Sequence, residues 1–227
     1  MSNDIKTPFG KITPGVSLFP IYYLLFVYGV VYIFPYGKNL IGISWFDWFR
    51  SEDGPLEWLQ FFEYVFSSLL AFLIFLRRKK KKEINSFIWL LIAFLTLLIA
   101  GEEISWGERL TGIGITSISN MNVQGETNFH NLPFFHNYLL DPVFELSCIF
   151  LGWFGWRKFK NIEAFPDKEF SLYFLFVALF YFYFDISWAS TTEQIRNDQE
   201  IFEFLLSSGL FLHCLKNLGK TGFKIRR

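Results

Sequence analysis

The 227-residue sequence predicts an all-α integral membrane protein of six transmembrane helices, and three observations carry that prediction. Only 19% of the chain is charged and 52% is hydrophobic, whereas ordinary soluble domains carry about 25% charged residues. Aromatic side chains make up 22% of it, with 31 Phe, 10 Tyr and 8 Trp, more than a core of this size can hide. Uncharged apolar runs recur between clusters of charge, in segments near the roughly 20 residues that a helix needs to cross hydrocarbon. The same composition excludes a disordered tail and a nucleic-acid binder. Two cysteines, Cys148 and Cys214, both inside apolar runs, exclude a disulfide scaffold.

The spans follow in order. The first, about 16–36, lies in the charge-free run from Ile12 to Gly37. No short apolar segment with a small-residue cleavage site precedes it, so it reads as retained rather than cleaved. The second, 55–76, has an uncharged core from Tyr64 to Leu76, and the third, 84–103, one from Ile84 to Gly101. The fourth, 142–157, centres on Leu146 to Trp156, the fifth, 169–189, on Phe170 to Phe184, and the sixth, 197–216, on Phe204 to Leu215. The even-numbered spans reach full length only with an acidic residue inside their first turns.

Basic residues set the orientation. With both termini and the even-to-odd connections on one side, that side holds all but four of the 21 Lys and Arg; the exceptions are Lys38, Arg50, Arg109 and Arg196. The positive-inside rule then places both termini in the cytoplasm and the chain in the cytoplasmic (inner) membrane. The acids divide the opposite way: only Asp4, Glu83, Glu163, Asp167 and Glu169 lie on the basic side. Anionic lipid accounts for the basic loops, and no nucleic-acid partner is expected.

Ile-Ser-Trp occurs three times, at 43–45, 104–106 and 186–188, each just past an odd-numbered span. Each triplet is followed by an even span with Phe-Glu near its start: Phe62-Glu63, Phe144-Glu145 and Phe202-Glu203. The pattern predicts three repeated helical hairpins. Trp enrichment at membrane interfaces is the plainer explanation of the same triplets.

The acids in these hairpins are the candidate catalytic groups. Helical spacing puts Gln60, Glu63 and Ser67 on one stripe and Glu200, Glu203 and Ser207 on another. The helix dipole favours acids at N-termini and so accounts for Glu57, Asp141 and Glu200 without function. It does not account for Glu102, Glu103 and Asp185 at C-terminal ends, nor for Glu63, eight residues into its span. Such groups face a bundle interior or a watery cavity. Glu63, Glu102, Glu103, Glu145, Asp185, Glu203 and His130 are therefore the predicted catalytic set, in a pocket facing away from the cytoplasm.

The connection 107–140 is long enough to serve as a lid over that pocket. It carries Arg109, Glu126 and Asn131 as candidate substrate-binding residues, with His130 and His136 alongside. Residues 101–109 (Gly-Glu-Glu-Ile-Ser-Trp-Gly-Glu-Arg) followed by 122–131 (Asn-Val-Gln-Gly-Glu-Thr-Asn-Phe-His-Asn) resemble segments shared by a family of uncharacterised bacterial multi-pass membrane proteins. The resemblance covers mainly residues 101–131. It implies no activity, substrate or cofactor.

Glu102-Glu103 is similar to the paired glutamates of intramembrane CAAX-type proteases, but Arg109 arrives two residues late for that motif and Gly107 stands in its place. Ceramidase-like hydrolases need several converging histidines that this chain lacks. Glu103, Glu145, Asp185 and His130 are of the types that hold a divalent metal, although their spacing gives no support and the histidines also read as interfacial loop residues. Three functions remain open. The first is a membrane-embedded enzyme acting on a lipid or lipid-linked substrate. The second is a non-catalytic subunit that binds a membrane-protein partner, and the third is a proton or cation transporter.

Overall fold

The computed structural model describes residues 5–7, 10–12, 14–33, 43–51, 53–122, 125–135, 140–187 and 193–222. A short antiparallel pair, β1 (Ile5–Thr7) and β2 (Gly10–Ile12), opens the chain, and almost everything after it is helical. Helix α1 (Phe19–Leu24) widens into a π-helical stretch, Leu25–Ile33, and a short helix α2 (Ile43–Phe49) follows. The long elements are α3 (Pro55–Lys80), α4 (Ser86–Glu103), α6 (Ser171–Ser187) and α7 (Glu193–Lys220). Between α4 and α6, helix α5 (Leu140–Ile149) continues through π turns over Phe150–Gly155.

Local chemistry sets the ends of α3. Gly54 caps it in an extended conformation and Pro55 takes the first helical position, where its missing N–H costs nothing. Glu57 lies in the first turn and Arg77, Arg78, Lys79 and Lys80 in the last, each sign matched to the helix dipole. Lys82, at a positive φ of 58°, turns the chain into α4.

Three segments are long and apolar enough to cross a membrane: Pro55–Lys80, Ser86–Glu103 and Asp198–Lys220. Their packing has the pattern expected of helices in lipid, with small and polar residues inward and large apolar ones outward. Ser67, Ser68 and Ala71 of α3 are buried, as are Ala93, Thr96 and Ala100 of α4, while Phe62, Phe66, Leu69, Leu91 and Leu95 are exposed. Ser68 Oγ donates to the Ala93 carbonyl at 2.8 Å, joining α3 and α4. Helix α7 packs on α3 and on α6, and α6 also packs on α5.

Two apolar clusters flank α7. One holds Val27, Phe170, Tyr173, Val177 and Leu205, and the other Ala71, Ile74, Trp89, Ala93 and Cys214. Glycine permits the closest approaches to α6. A Cβ on Gly209 would stand 2.8 Å from Tyr173 Cβ, and one on Gly152 would stand 2.8 Å from Leu175 Cγ. Gly209→Leu should therefore overpack the α6–α7 contact. The expected loss is about 1–3 kcal/mol, read as a lower melting temperature of the detergent-solubilised chain. Unchanged melting would mean that α6 and α7 do not meet there.

The end of the bundle away from α3's first turn is rich in bases. Lys216 Nζ bonds Asp167 Oδ2 at 2.5 Å and also reaches Glu169, while Lys220 lies 3.7 Å from Asp167. Partial burial pushes the Asp167 carboxyl upward, but the Lys216 hydrogen bond and charge outweigh it and hold it below its ordinary range. A depressed folded-state value means that the stabilisation is present at neutral pH and is lost as the pH falls through the carboxylate range. The melting difference between wild type and Asp167→Asn should hold from pH 8 to about 5 and shrink below about pH 4. A difference that grows on acidification would contradict the pairing.

The three Ile-Ser-Trp triplets occupy different backbone settings. Ile43 begins α2, Ser105 and Trp106 sit in a left-handed turn, and Ile186 and Ser187 end α6. Trp188 lies outside the described residues.

Candidate functional site

Glu57, Gln60, Glu63 and Ser67 recur every three to four residues along α3, so one face of an otherwise apolar helix is polar. That face meets α7. Gln60 is fully buried and its Nε2 donates to Glu200 Oε2 at 2.9 Å and to the Glu200 carbonyl at 3.1 Å. One turn deeper, Ser207 Oγ donates to Glu63 Oε2 at 2.6 Å and Ser208 Oγ to Glu63 Oε1 at 2.9 Å. On the far side of α7, Gln199 Nε2 donates to Glu203 Oε1 at 3.1 Å, and the Tyr181 hydroxyl of α6 donates to the same carboxylate.

Glu103 ends α4 beside these groups. It interacts electrostatically with Glu203, Glu57, Arg109 and Glu102, and Glu200 with Glu203, Glu103 and Glu57. Tyr64, almost wholly buried, interacts electrostatically with Glu103, Glu203 and Glu63. Five buried or half-buried glutamates from α3, α4 and α7 (Glu57, Glu63, Glu103, Glu200 and Glu203) are thus linked in one neighbourhood. Glu103 stands apart in one respect: among the described residues its carboxyl makes no hydrogen bond.

The cap over this neighbourhood is built by a strained turn. Ser105, Trp106 and Gly107 have φ of 47°, 55° and 91°, three left-handed residues in succession, of which the two non-glycine ones cost about 1–2 kcal/mol each. Side chains hold the turn in place. Ser105 Oγ donates to Glu126 Oε2 at 2.6 Å and Trp106 Nε1 to Glu102 Oε1 at 2.5 Å. The Trp106 ring lies over Gly101, where a Cβ would come within 3.0 Å of it.

The two motif segments of the loop then bond to each other. Glu102 Oε2 accepts from the backbone N–H of Phe129 at 2.7 Å and of His130 at 2.9 Å, with His130 Nδ1 at 3.0 Å. Glu108 Oε2 accepts from the Thr127 N–H at 2.6 Å. Arg109 is the keystone of the cap. Its Nη1 is 2.5 Å from Glu57 Oε1, its Nε 2.9 Å from Asp53 Oδ1 and its Nη2 3.3 Å from Glu126 Oε2. Partial burial works against its charge, but Glu57, Glu126 and Asp53 outweigh burial and hold the guanidinium protonated more firmly than a free arginine. Glu57 Oε2 also accepts the Asp53 N–H at 2.5 Å.

The predicted site residues divide accordingly. Glu103, Glu203 and Glu63 each interact electrostatically with Tyr64, and Glu103 with Arg109. Glu102 and His130 pair with one another within the cap, and Arg109 pairs with Glu126. Asn131 is buried inside the cap. Glu145 lies one turn before Cys148 on α5, and both Glu145 and Glu203 interact electrostatically with that thiol. The Asp185 side chain and His136 lie outside the described residues. Among the described residues, no group of three or more His, Cys, Asp and Glu is placed to hold a metal ion.

Two participants, Glu57 and Glu200, are acids that the helix dipole accounts for without function. Glu57 and Glu200 sit in the first turns of long apolar segments, yet both join the shared carboxylate group. The readable signal was their i, i+3 spacing to Gln60 and Glu203. A further feature has no local signal: Arg50 Nη1 bonds Asp198 Oδ1 at 2.5 Å in a buried pair that ties the end of α2 to α7. No protein-family model, curated protein or solved structure matches the chain.

Proposed function

We propose that this chain is a six-span membrane protein with both termini on its basic, cytoplasmic side, and that its capped glutamate group is the site of a membrane-embedded enzyme acting on a lipid or lipid-linked substrate. Three spanning-length helices, their small-inward packing and the collection of bases at one end support the membrane reading. The observation that carries the site is Glu103. It is a half-buried carboxyl at the end of a spanning-length helix, without a hydrogen bond among the described residues and in electrostatic interaction with Glu203, Glu57, Glu102 and Arg109. A carboxyl so placed, beside others held by different donors, suits general acid–base chemistry. The apolar neighbours and the membrane-level position favour a substrate delivered from the bilayer.

Transport is less well supported, because the polar stripe stops. Below Ser207 and Ser208 the next polar side chain on α7 is His213, about 8 Å further along at 1.5 Å per residue. Gly209 in that interval is packed against Tyr173 and Phe174. Partner binding has one observation in its favour, since Leu110, Ile113, Ile115 and Met121 on the cap are exposed.

The test is a comparison of whole-lipid profiles from cells producing wild type or Glu103→Gln at equal levels. The expected result is at least one lipid or lipid-linked species consumed or formed with wild type and unchanged with the variant. Identical profiles would overturn the enzymatic reading and favour partner binding.

A further inference from the structure

At the basic end, two adjoining cavities of about 230 and 390 Å³ open between the α3–α4 turn, the 158–168 loop and the end of α7. They share Arg78, Lys81, Glu83 and Glu163 as walls. The larger lies within the usual range of small-ligand sites, roughly 300–1,000 Å³. Neither belongs to the capped glutamate group, and the proposal below does not depend on that group's function.

The charges of this cavity are arranged for an anion. Its acids are already engaged: Arg78 Nη1 is 2.6 Å from Glu83 Oε2, and Arg78 Nη2 bonds Glu163. One guanidinium thus fixes three elements, the end of α3, the turn and the loop, and closes the acids off. Lys220, at the edge of the smaller cavity, is shared between Glu163 at 3.9 Å and Asp167 at 3.7 Å. Lys81 and Lys82 pair with no acid among the described residues, and Arg78 Nε–H is buried without a hydrogen-bond partner among them. The cavity therefore keeps the charge of Lys81 and Lys82 after its own acids are accounted for.

Its mouth is apolar on one side. Ile84, which lines the larger cavity, is 94% exposed, and Phe87 beside it is also exposed. Both lie at the start of a spanning-length helix, where head groups give way to acyl chains. Basic pockets between membrane helices on this side suit phosphate-bearing head groups.

We infer that this cavity is a binding site for a phosphate group, presented by an anionic phospholipid whose chains run along Ile84 and Phe87. Lys81 and Lys82 supply the charge, and Arg78 positions the walls. A phosphate ion in solution offers the same chemistry to the cavity without the chains.

The experiment measures melting of the full-length detergent-solubilised protein with short-chain phosphatidylglycerol, short-chain phosphatidylcholine or inorganic phosphate. Phosphatidylglycerol should raise the melting temperature by about 3 °C or more near saturation. Phosphatidylcholine, whose phosphate is balanced by its own cation, should do much less. Lys81→Gln with Lys82→Gln should weaken phosphatidylglycerol binding by roughly thirtyfold, and Lys→Arg at both positions should restore it. Lys79→Gln with Lys80→Gln, which removes two exposed neighbours outside the cavity, should leave it within about twofold. A full shift from inorganic phosphate alone, lost in the same double variant, would support the site with a soluble ligand. Equal weakening by the two Gln pairs, equal shifts from both lipids, or no shift from either phosphatidylglycerol or phosphate would overturn it.

Discussion

Replacing Arg109 by alanine should lower the melting temperature of the solubilised protein by roughly 6–10 °C, the equivalent of about 3 kcal/mol in a chain of this size. Three carboxylates, Asp53, Glu57 and Glu126, converge on this one guanidinium, and Glu57 is buried. Removing it strands Glu57, which already interacts with Glu103 and Glu200. The loss is therefore larger than for an exposed pair, which is worth at most about 1 kcal/mol. Arg109→Lys should recover only part of it, because an ammonium cannot serve three separated acceptors from a planar fork. Adding Glu57→Gln to Arg109→Ala should return some stability, a coupling that simple addition of the two losses would rule out.

The second large effect is expected at Arg50 and Asp198. Arg50→Met leaves the Asp198 carboxylate buried, with Tyr28 Oη at 3.3 Å as its remaining described donor. Breaking one side of such a pair costs about 3–5 kcal/mol, whereas replacing both sides with uncharged groups is often close to neutral. The double variant Arg50→Met with Asp198→Asn should thus melt above either single variant. If each substitution simply adds its own loss, the two side chains are not coupled and the tie between the end of α2 and α7 is wrong.

Much of the scaffold is legible in the sequence because lipid-compatible helices advertise themselves by length and apolarity. Pro55–Lys80 and Ser86–Glu103 follow from the uncharged cores Tyr64 to Leu76 and Ile84 to Gly101, bounded by Pro55, the basic cluster and Glu102-Glu103. The depth of Glu63 was also readable, since eight residues of helix separate it from Pro55 and no dipole effect reaches that far. What could not be read is long-range or conformational. Arg50 and Asp198 are 148 residues apart, and nothing near either one names the other. The left-handed Ser105–Trp106 turn repeats the letters of Ile43-Ser44-Trp45, yet the latter enters a helix. Gly101 and Gly107 make the difference, one admitting the indole ring and the other continuing the turn. Identical triplets with different flanks therefore fold differently, which limits what the repeat can imply about shared structure.

The central proposal is that glutamates of α3, α4 and α7 form one site, reached only from the capped side. Accessibility of position 103 tests this most directly. A cysteine would be placed there in a chain with Cys148 and Cys214 replaced by alanine, then exposed to a membrane-impermeant thiol reagent in sealed vesicles of either orientation. Labelling is expected only from the side opposite the basic loops, and it should rise severalfold when Arg109→Ala releases the cap. Labelling from the basic side, or equal labelling from both sides, would contradict a one-sided site and indicate a continuous path through the bundle.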